Sequence, residues 1–203
     1  MKFNLLLKSM LVALLVTVSL TSNANSINFD GTGAPNLFEN TTPLTNLYAG
    51  QGVTFSGIDG AGGSIINQNG GFGFNAHSGT DFLAFNTGKG TGYQMLISFD
   101  TAVDSVSIWA SSATNAFFLM EAIDINGEYI GAFGSYPAAS TWVQNVITGA
   151  AIFKVRLTAV DTSFFAFDDL EYSPVSSVPV PAALPLMLSG LGVLGFARRN
   201  RKV

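Results

Sequence analysis

Residues 152–160 read Ile152-Phe153-Lys154-Val155-Arg156-Leu157-Thr158-Ala159-Val160, with Phe153, Val155, Leu157 and Ala159 at every second place and Lys154, Arg156 and Thr158 between them. A period of two sends alternate side chains to opposite faces of an extended chain, the mark of a half-buried β-strand. The same period recurs where Met95, Ile97 and Phe99 alternate with Gln94, Leu96 and Ser98. It appears again in Phe117, Leu119, Glu121 and Ile123, where Phe118 and Met120 make both faces apolar. Shorter apolar runs at 53–56, 82–85, 103–109, 142–147 and 164–172 are separated by Gly, Asn, Asp and Ser, and no helical period of useful length interrupts them. About eight to ten strands at this spacing predict an all-β domain, an antiparallel β-sandwich of jelly-roll type. Asn126-Gly127 between two apolar runs predicts a hairpin with a type I′ turn. Residues 57–92 contain eleven glycines, which weaken strands and predict a loop-rich stretch with short strands at 64–67 and 82–85. These loops read first as passive connections and second as binding loops.

Working outward, the charges divide the chain into three parts. Lys2, Lys8, Arg198, Arg199, Arg201 and Lys202 lie near the ends, while all thirteen acids fall between Asp30 and Glu171. Only Lys89, Lys154 and Arg156 offset those acids, so the middle carries a net charge of −10. Such an acidic body argues against nucleic-acid binding, which needs a basic face. Lys2 and Lys8 followed by the apolar run 10–20 predict a signal peptide over 1–24, with Ser22 and Ala24 as the small residues before cleavage between Ala24 and Asn25. The secretion translocon is then the first partner. An uncleaved anchor is the alternative, although the run is shorter than the roughly 20 residues a spanning helix needs.

Residues 25–172 form the exported domain, and 173–181 form a linker rich in Pro and Ser. From Val178 to Ala197 no residue is charged. The segment 182–197 within this stretch predicts a transmembrane helix, and the basic tail 198–203 follows. Arg198, Arg199, Arg201 and Lys202 would act as a stop-transfer signal and hold the tail in the cytoplasm.

Val178-Pro179-Val180-Pro181, the apolar helix with Ser189-Gly190-Leu191-Gly192, and Arg198-Arg199-Asn200-Arg201-Lys202 together resemble the PEP-CTERM sorting signal. That family has a Val-Pro-Glu-Pro-like motif, a spanning helix and an arginine-rich tail. Val180 stands where the family usually has Glu, while both prolines keep their spacing. The resemblance implies export across the inner membrane and a membrane-anchored precursor, transiently held in the inner membrane. It further implies processing by an exosortase-type membrane transpeptidase, then delivery to the cell surface or an exopolysaccharide matrix. A generic tail anchor is the alternative. The body, through Ile27-Asn28-Phe29-Asp30-Gly31, residues 48–55, Asp124-Ile125-Asn126-Gly127 and Phe165-Ala166-Phe167-Asp168-Asp169-Leu170, is similar to the β-sandwich ectodomains of that family, which resemble carbohydrate-binding modules.

Site chemistry is sparse. With no Cys and a lone His77, disulfides, zinc fingers and thiol nucleophiles are excluded. No nucleophile elbow or phosphate loop is present. Asp30 after the first strand and Asp168-Asp169 in the last predict a structural Ca²⁺ joining the two, since carboxylates and loop carbonyls suit that ion. Strand-end acids facing water are the alternative. Trp109, Trp142, Tyr48, Tyr93, Tyr129 and Tyr136 are candidates for stacking on sugar rings. The expected function is therefore an exported, non-catalytic surface or matrix protein that binds glycan. A structural or adhesive protein without a ligand is the second reading, and a secreted glycan-degrading enzyme is the third.

Overall fold

The computed structural model describes residues 24–41, 43–57, 62–86, 94–160 and 164–175. The expected signal peptide up to Asn23, sorting motif Val178–Pro181, transmembrane helix 182–197 and stop-transfer tail 198–203 lie outside the described residues, as does Tyr93. Among the described residues there are nine strands, all paired antiparallel: β1 (Asn25–Ile27), β2 (Val53–Gly57), β3 (Ser64–Asn67), β4 (Asp81–Asn86), β5 (Gln94–Ser112), β6 (Phe117–Ile123), β7 (Tyr129–Ser135), β8 (Val143–Val160) and β9 (Phe164–Pro174). The expected cleavage point falls where Ala24 is exposed and β1 begins at Asn25, whose ladder partner is Tyr172.

One nine-stranded sheet folds over itself into two layers. Its long strands β5 and β8 make the fold possible. Their shared ladder is in register from Gln94–Thr158 to Ser98–Lys154, shifts before Val103–Ile152, and shifts again before Ser105–Thr148. Such irregularities bend a strand without ending it. The first half of β5 therefore pairs with β2 and the end of β8, whose far side carries β6 and then β7. The second half of β5 pairs with β9 and the start of β8, and β9 continues to β4 and β3.

Inward-facing side chains of the two layers meet. Phe118 on β6 lies 6.2 Å from Phe165 and 5.7 Å from Phe167 on β9, although β6 and β9 share no ladder. Phe29 meets Phe55 at 6.0 Å, and Phe99 meets Tyr172 at 5.3 Å. Val155, Leu157 and Ala159 are buried as the alternation predicts, but Phe153 is only half-buried. It follows the bend, where Ala151 has a φ of 59° and Ile152 takes the core position.

One other expectation changes. At the hairpin, Gly127 alone has positive φ (88°), so the turn is not type I′. Instead the Gly127 N–H donates to Asp124 O, and Asp124 Oδ1 accepts the N–H groups of Asn126 and Glu128. This is the longer hairpin loop with a left-handed glycine. Those hydrogen bonds, led by the one from Glu128, hold the Asp124 carboxyl below its ordinary value.

The glycine-rich stretch also contributes to the packing of the sheet. Strand β4 is buried on both faces: Leu83 and Phe85 face the main core, while Phe82 and Ala84 face a second cluster. Phe72 and Phe74 from the 68–80 loop build that cluster over Phe82, at 5.8 and 5.6 Å. A phenylalanine pair in a loop thus covers a sheet face that would otherwise be wet.

Phe165 is 1% exposed and stacks on Phe85 at 4.7 Å, with contacts to both layers. Truncating a buried phenylalanine costs about 3–5 kcal/mol. Phe165→Ala should therefore lower the urea midpoint by a corresponding amount, whereas an unchanged midpoint would mean that the layers are not joined there.

Candidate functional site

Segment 77–81 links the loop to β4, and carboxylates from the end of β1 and the middle of β9 hold it. Asp30, just past β1, accepts the N–H groups of Thr80 (2.9 Å) and Asp81 (3.0 Å) on Oδ1. Asp168, in β9, accepts those of His77 (2.9 Å) and Ser78 (3.2 Å) on Oδ2, and that of Asp169 (2.9 Å) on Oδ1. Between the two sets lies Gly79, with φ of 57°, packed so closely on the Asp30 carboxylate that a Cβ would overlap it. Only glycine meets both demands.

Asp169, itself at φ of 46°, binds two side chains: His77 Nδ1 lies 2.6 Å from Oδ2, and Ser78 Oγ donates to Oδ1 at 2.6 Å. Asp81 is 4% exposed and accepts from Asn67 Nδ2 (2.7 Å) and Thr80 Oγ1 (3.1 Å). The Tyr48 hydroxyl is buried without a hydrogen-bond partner. Burial first, then the charges of Asp30, Asp81 and Asp168, push its pKa up to about 12. Asp168 has no exposed surface, and burial outweighs its N–H donors to raise its pKa to about 7.

Above this clasp the aromatic rings gather. The His77 imidazole stacks on the Trp109 indole at 3.8 Å and 18°. Trp142 meets His77 edge-on at 5.9 Å and donates its Nε1–H to Asn75 O at 3.0 Å. Beside Trp142 opens a cleft of about 570 Å³, with Gln68, Asn75 and Ser140 on its rim and Phe74 in its wall. Ser140, at φ of 56°, sits opposite the loop and donates to Gly73 O at 3.3 Å. On the other side of Trp109, Gln144 is its ladder partner on β8, and Gln144 Nε2 lies 3.4 Å from Ser107 Oγ.

Of the residues expected to stack on sugars, Trp109 and Trp142 come together here. Tyr48 packs against the main core, while Tyr129 and Tyr136 are exposed elsewhere. Sequence reading did not find the companions of His77, because Asp169 lies 92 residues away in the chain.

Asp30, Asp168 and Asp169, expected as Ca²⁺ ligands, converge on this one segment. Asp30 Oδ1 and both oxygens of Asp168 accept N–H groups, while the Asp169 oxygens lie against Ser78 Oγ and His77 Nδ1. Among the described residues no group of three or more acid or His side chains is placed to hold a metal ion. The same three acids therefore hold segment 77–81 through its amides and side chains. The Ser, His and Asp found here also lack the order of a nucleophilic triad. Asp169 lies between the other two, and the Ser78 hydroxyl donates to the acid rather than to the imidazole.

Because Asp168 has a folded pKa of about 7 against an ordinary value of 3.8, the native state keeps a proton that the unfolded chain releases above about pH 4. Stability is therefore greatest below that window and falls as pH rises through about 7. The denaturant midpoint should be lower at pH 8 than at pH 5, and Asp168→Asn should flatten this difference; an equal slope in both proteins would contradict the assignment. If these hydrogen bonds alone hold the segment, a chelator should leave the melting temperature unchanged, and a drop would show a bound cation.

Comparison with known proteins adds the following. Residues 177–202 match the family described as the PEP-CTERM protein-sorting motif. No curated protein matches the chain. In outline the domain is similar to the CBM22-1 xylan-binding domain from Paenibacillus barcinonensis Xyn10C, at 14% identity over 77% of this chain and 97% of that one, with a TM-score of 0.43. It is also similar to a DUF4465 family protein from Bacteroides caccae, at 15% identity over 78% and 96%, with a TM-score of 0.45. TmCBM61 in complex with beta-1,4-galactotriose matches at 10% identity over 68% and 87%, with a TM-score of 0.33. Likeness at this level assigns no ligand. The sorting motif, by contrast, takes in the residues from Val178 to Lys202 that resemble it in sequence, and it is a signal for exosortase processing. The chain is accordingly an exported protein that bears a PEP-CTERM sorting motif at residues 177–202.

Proposed function

We propose that the exported domain is a non-catalytic glycan-binding module of the cell surface or extracellular matrix, and that its binding site is the cleft beside Trp142. The observation that carries this reading is the open cleft of about 570 Å³ that has an indole in its wall and amide and hydroxyl groups on its rim. Its volume lies within the range of small-ligand sites. An indole offers a broad apolar face of the kind that covers a sugar ring, and the rim of Gln68, Asn75 and Ser140 supplies groups that bind hydroxyls.

The clasp supports the same reading, because it fixes the loop that forms one wall and so reduces the ordering cost of binding. The body's net charge of −10 favours a neutral polymer over an acidic one. A bound chain would continue from Trp142 past His77 toward Trp109 and Gln144. No hydrolytic role is assigned to His77, whose imidazole is turned to Asp169 and stacked on Trp109.

Affinity electrophoresis against neutral plant and bacterial polysaccharides tests the proposal. Xylan and β-1,4-galactan are natural first probes. At least one polymer should retard the protein, and Trp142→Ala should weaken that retardation by at least about tenfold, or about 1.4 kcal/mol. Equal retardation of the variant would move the site elsewhere. No retardation by any polymer would favour the ligand-free matrix protein, and release of new reducing ends would favour an enzyme.

A further inference from the structure

Strand β7 ends one side of the sheet, pairing with β6 and with no other strand among the described residues. Its sequence, Tyr129-Ile130-Gly131-Ala132-Phe133-Gly134-Ser135, contains no charge and no proline, and five of its seven residues are exposed. Tyr129 is 56% exposed, Ile130 39% and Phe133 37%. The one irregularity is a register shift at its beginning, opposite Ala122 and Ile123. Natural edges are normally guarded by Lys, Pro or an inward charge, because a bare edge offers a row of unpaired N–H and C=O groups to any other strand.

We propose that this edge joins two copies of the chain, with β7 pairing antiparallel to β7 about a two-fold axis through Ala132. In that register Ala132 faces Ala132, Gly131 faces Phe133 and Ile130 faces Gly134. Ile130 and Phe133 then each meet a glycine and Tyr129 faces Ser135 at the ends of the pair, which gives a self-complementary two-fold interface. The glycines already have neighbours that would receive those side chains. A Cβ on Gly134 would come within 2.8 Å of the Phe117 ring, and one on Gly131 would lie 3.5 Å from Ile147 Cδ1. Ile130 of the second copy would thus settle on Phe117, which is 36% exposed, and Phe133 would lie near Ile147.

Charge favours the same edge. Two acidic bodies repel each other, and approach is least opposed where neither presents a charge. Beneath Ala132 in the ladder lies Glu121, and Arg156 pairs with it at 2.7 Å. The Arg156 guanidinium also lies 4.9 Å from the centre of the Tyr129 ring, which fixes the strand's first residue. The acid nearest the axis is thereby offset within each copy.

The absence of Cys makes the proposal directly testable in the full-length chain. Facing residues of an antiparallel pair have Cα atoms about 4.5–5.5 Å apart, within the range that a disulfide spans. Mild oxidation of the Ala132→Cys protein should therefore give a disulfide-linked dimer in most of the chain. Asp100→Cys, an exposed position on β5, should remain monomeric under the same conditions. Without oxidation, sedimentation should show a dimer that Ala132→Lys converts to monomer. A monomer in sedimentation together with no cross-link at Ala132→Cys would overturn the proposal, and so would cross-linking to a different protein in place of a second copy.

Discussion

The site depends on two carboxylates, the fully buried Asp168 and the half-buried Asp30, that accept backbone N–H groups. Asp30 and Asp168 together receive five of them, four from residues 77, 78, 80 and 81. Burial disfavours the charged form of Asp168 and raises its pKa to about 7, and the N–H donors offset part of that cost. The carboxylates therefore need the loop as much as the loop needs them. Since Asp30 follows β1 and Asp168 belongs to β9, the same contacts tie the beginning of the domain to its end. In a chain without Cys, this clasp does the work that a disulfide or a bound ion often does in small exported domains.

From the clasp the rest of the site follows in order. Gly79 lets the backbone turn against Asp30, His77 is brought onto Trp109, and Trp142 closes over Asn75. Phe72 and Phe74 meanwhile seal the outer side of β4. Each step fixes a side chain that an unclasped, glycine-rich loop would leave free. Binding surface and stability are thus obtained from the same residues, and the burial of Asp168 links both to pH.

Much of this fold was legible in the sequence, because alternation is a local property. Strands β2, β3, β4, β6 and β9 appear within one or two residues of where apolar spacing places them. Apolar spacing separates the runs 95–99 and 103–109, yet they are halves of β5, joined through a bend whose need arises only when two layers must meet. The Asn126-Gly127 signal gave the hairpin but not its turn, because Asp124 offers its side chain to the loop amides and changes the geometry. The clasp was half visible. Asp30, Asp168 and Asp169 stood out by position, but their donors were invisible, since backbone N–H groups leave no trace in residue type. The signal that was available lay in Phe72-Gly73-Phe74 and Gly79: aromatic residues in a glycine-rich loop need somewhere to be buried.

The most direct test is amide hydrogen exchange in the folded domain, read residue by residue. The account predicts that the N–H groups of His77, Ser78, Thr80 and Asp81 exchange as slowly as the ladder amides of β4, because carboxylates hold them as firmly as a neighbouring strand would. Exchange at the rate of an open loop would contradict it, and with the clasp would go the preformed surface around Trp142.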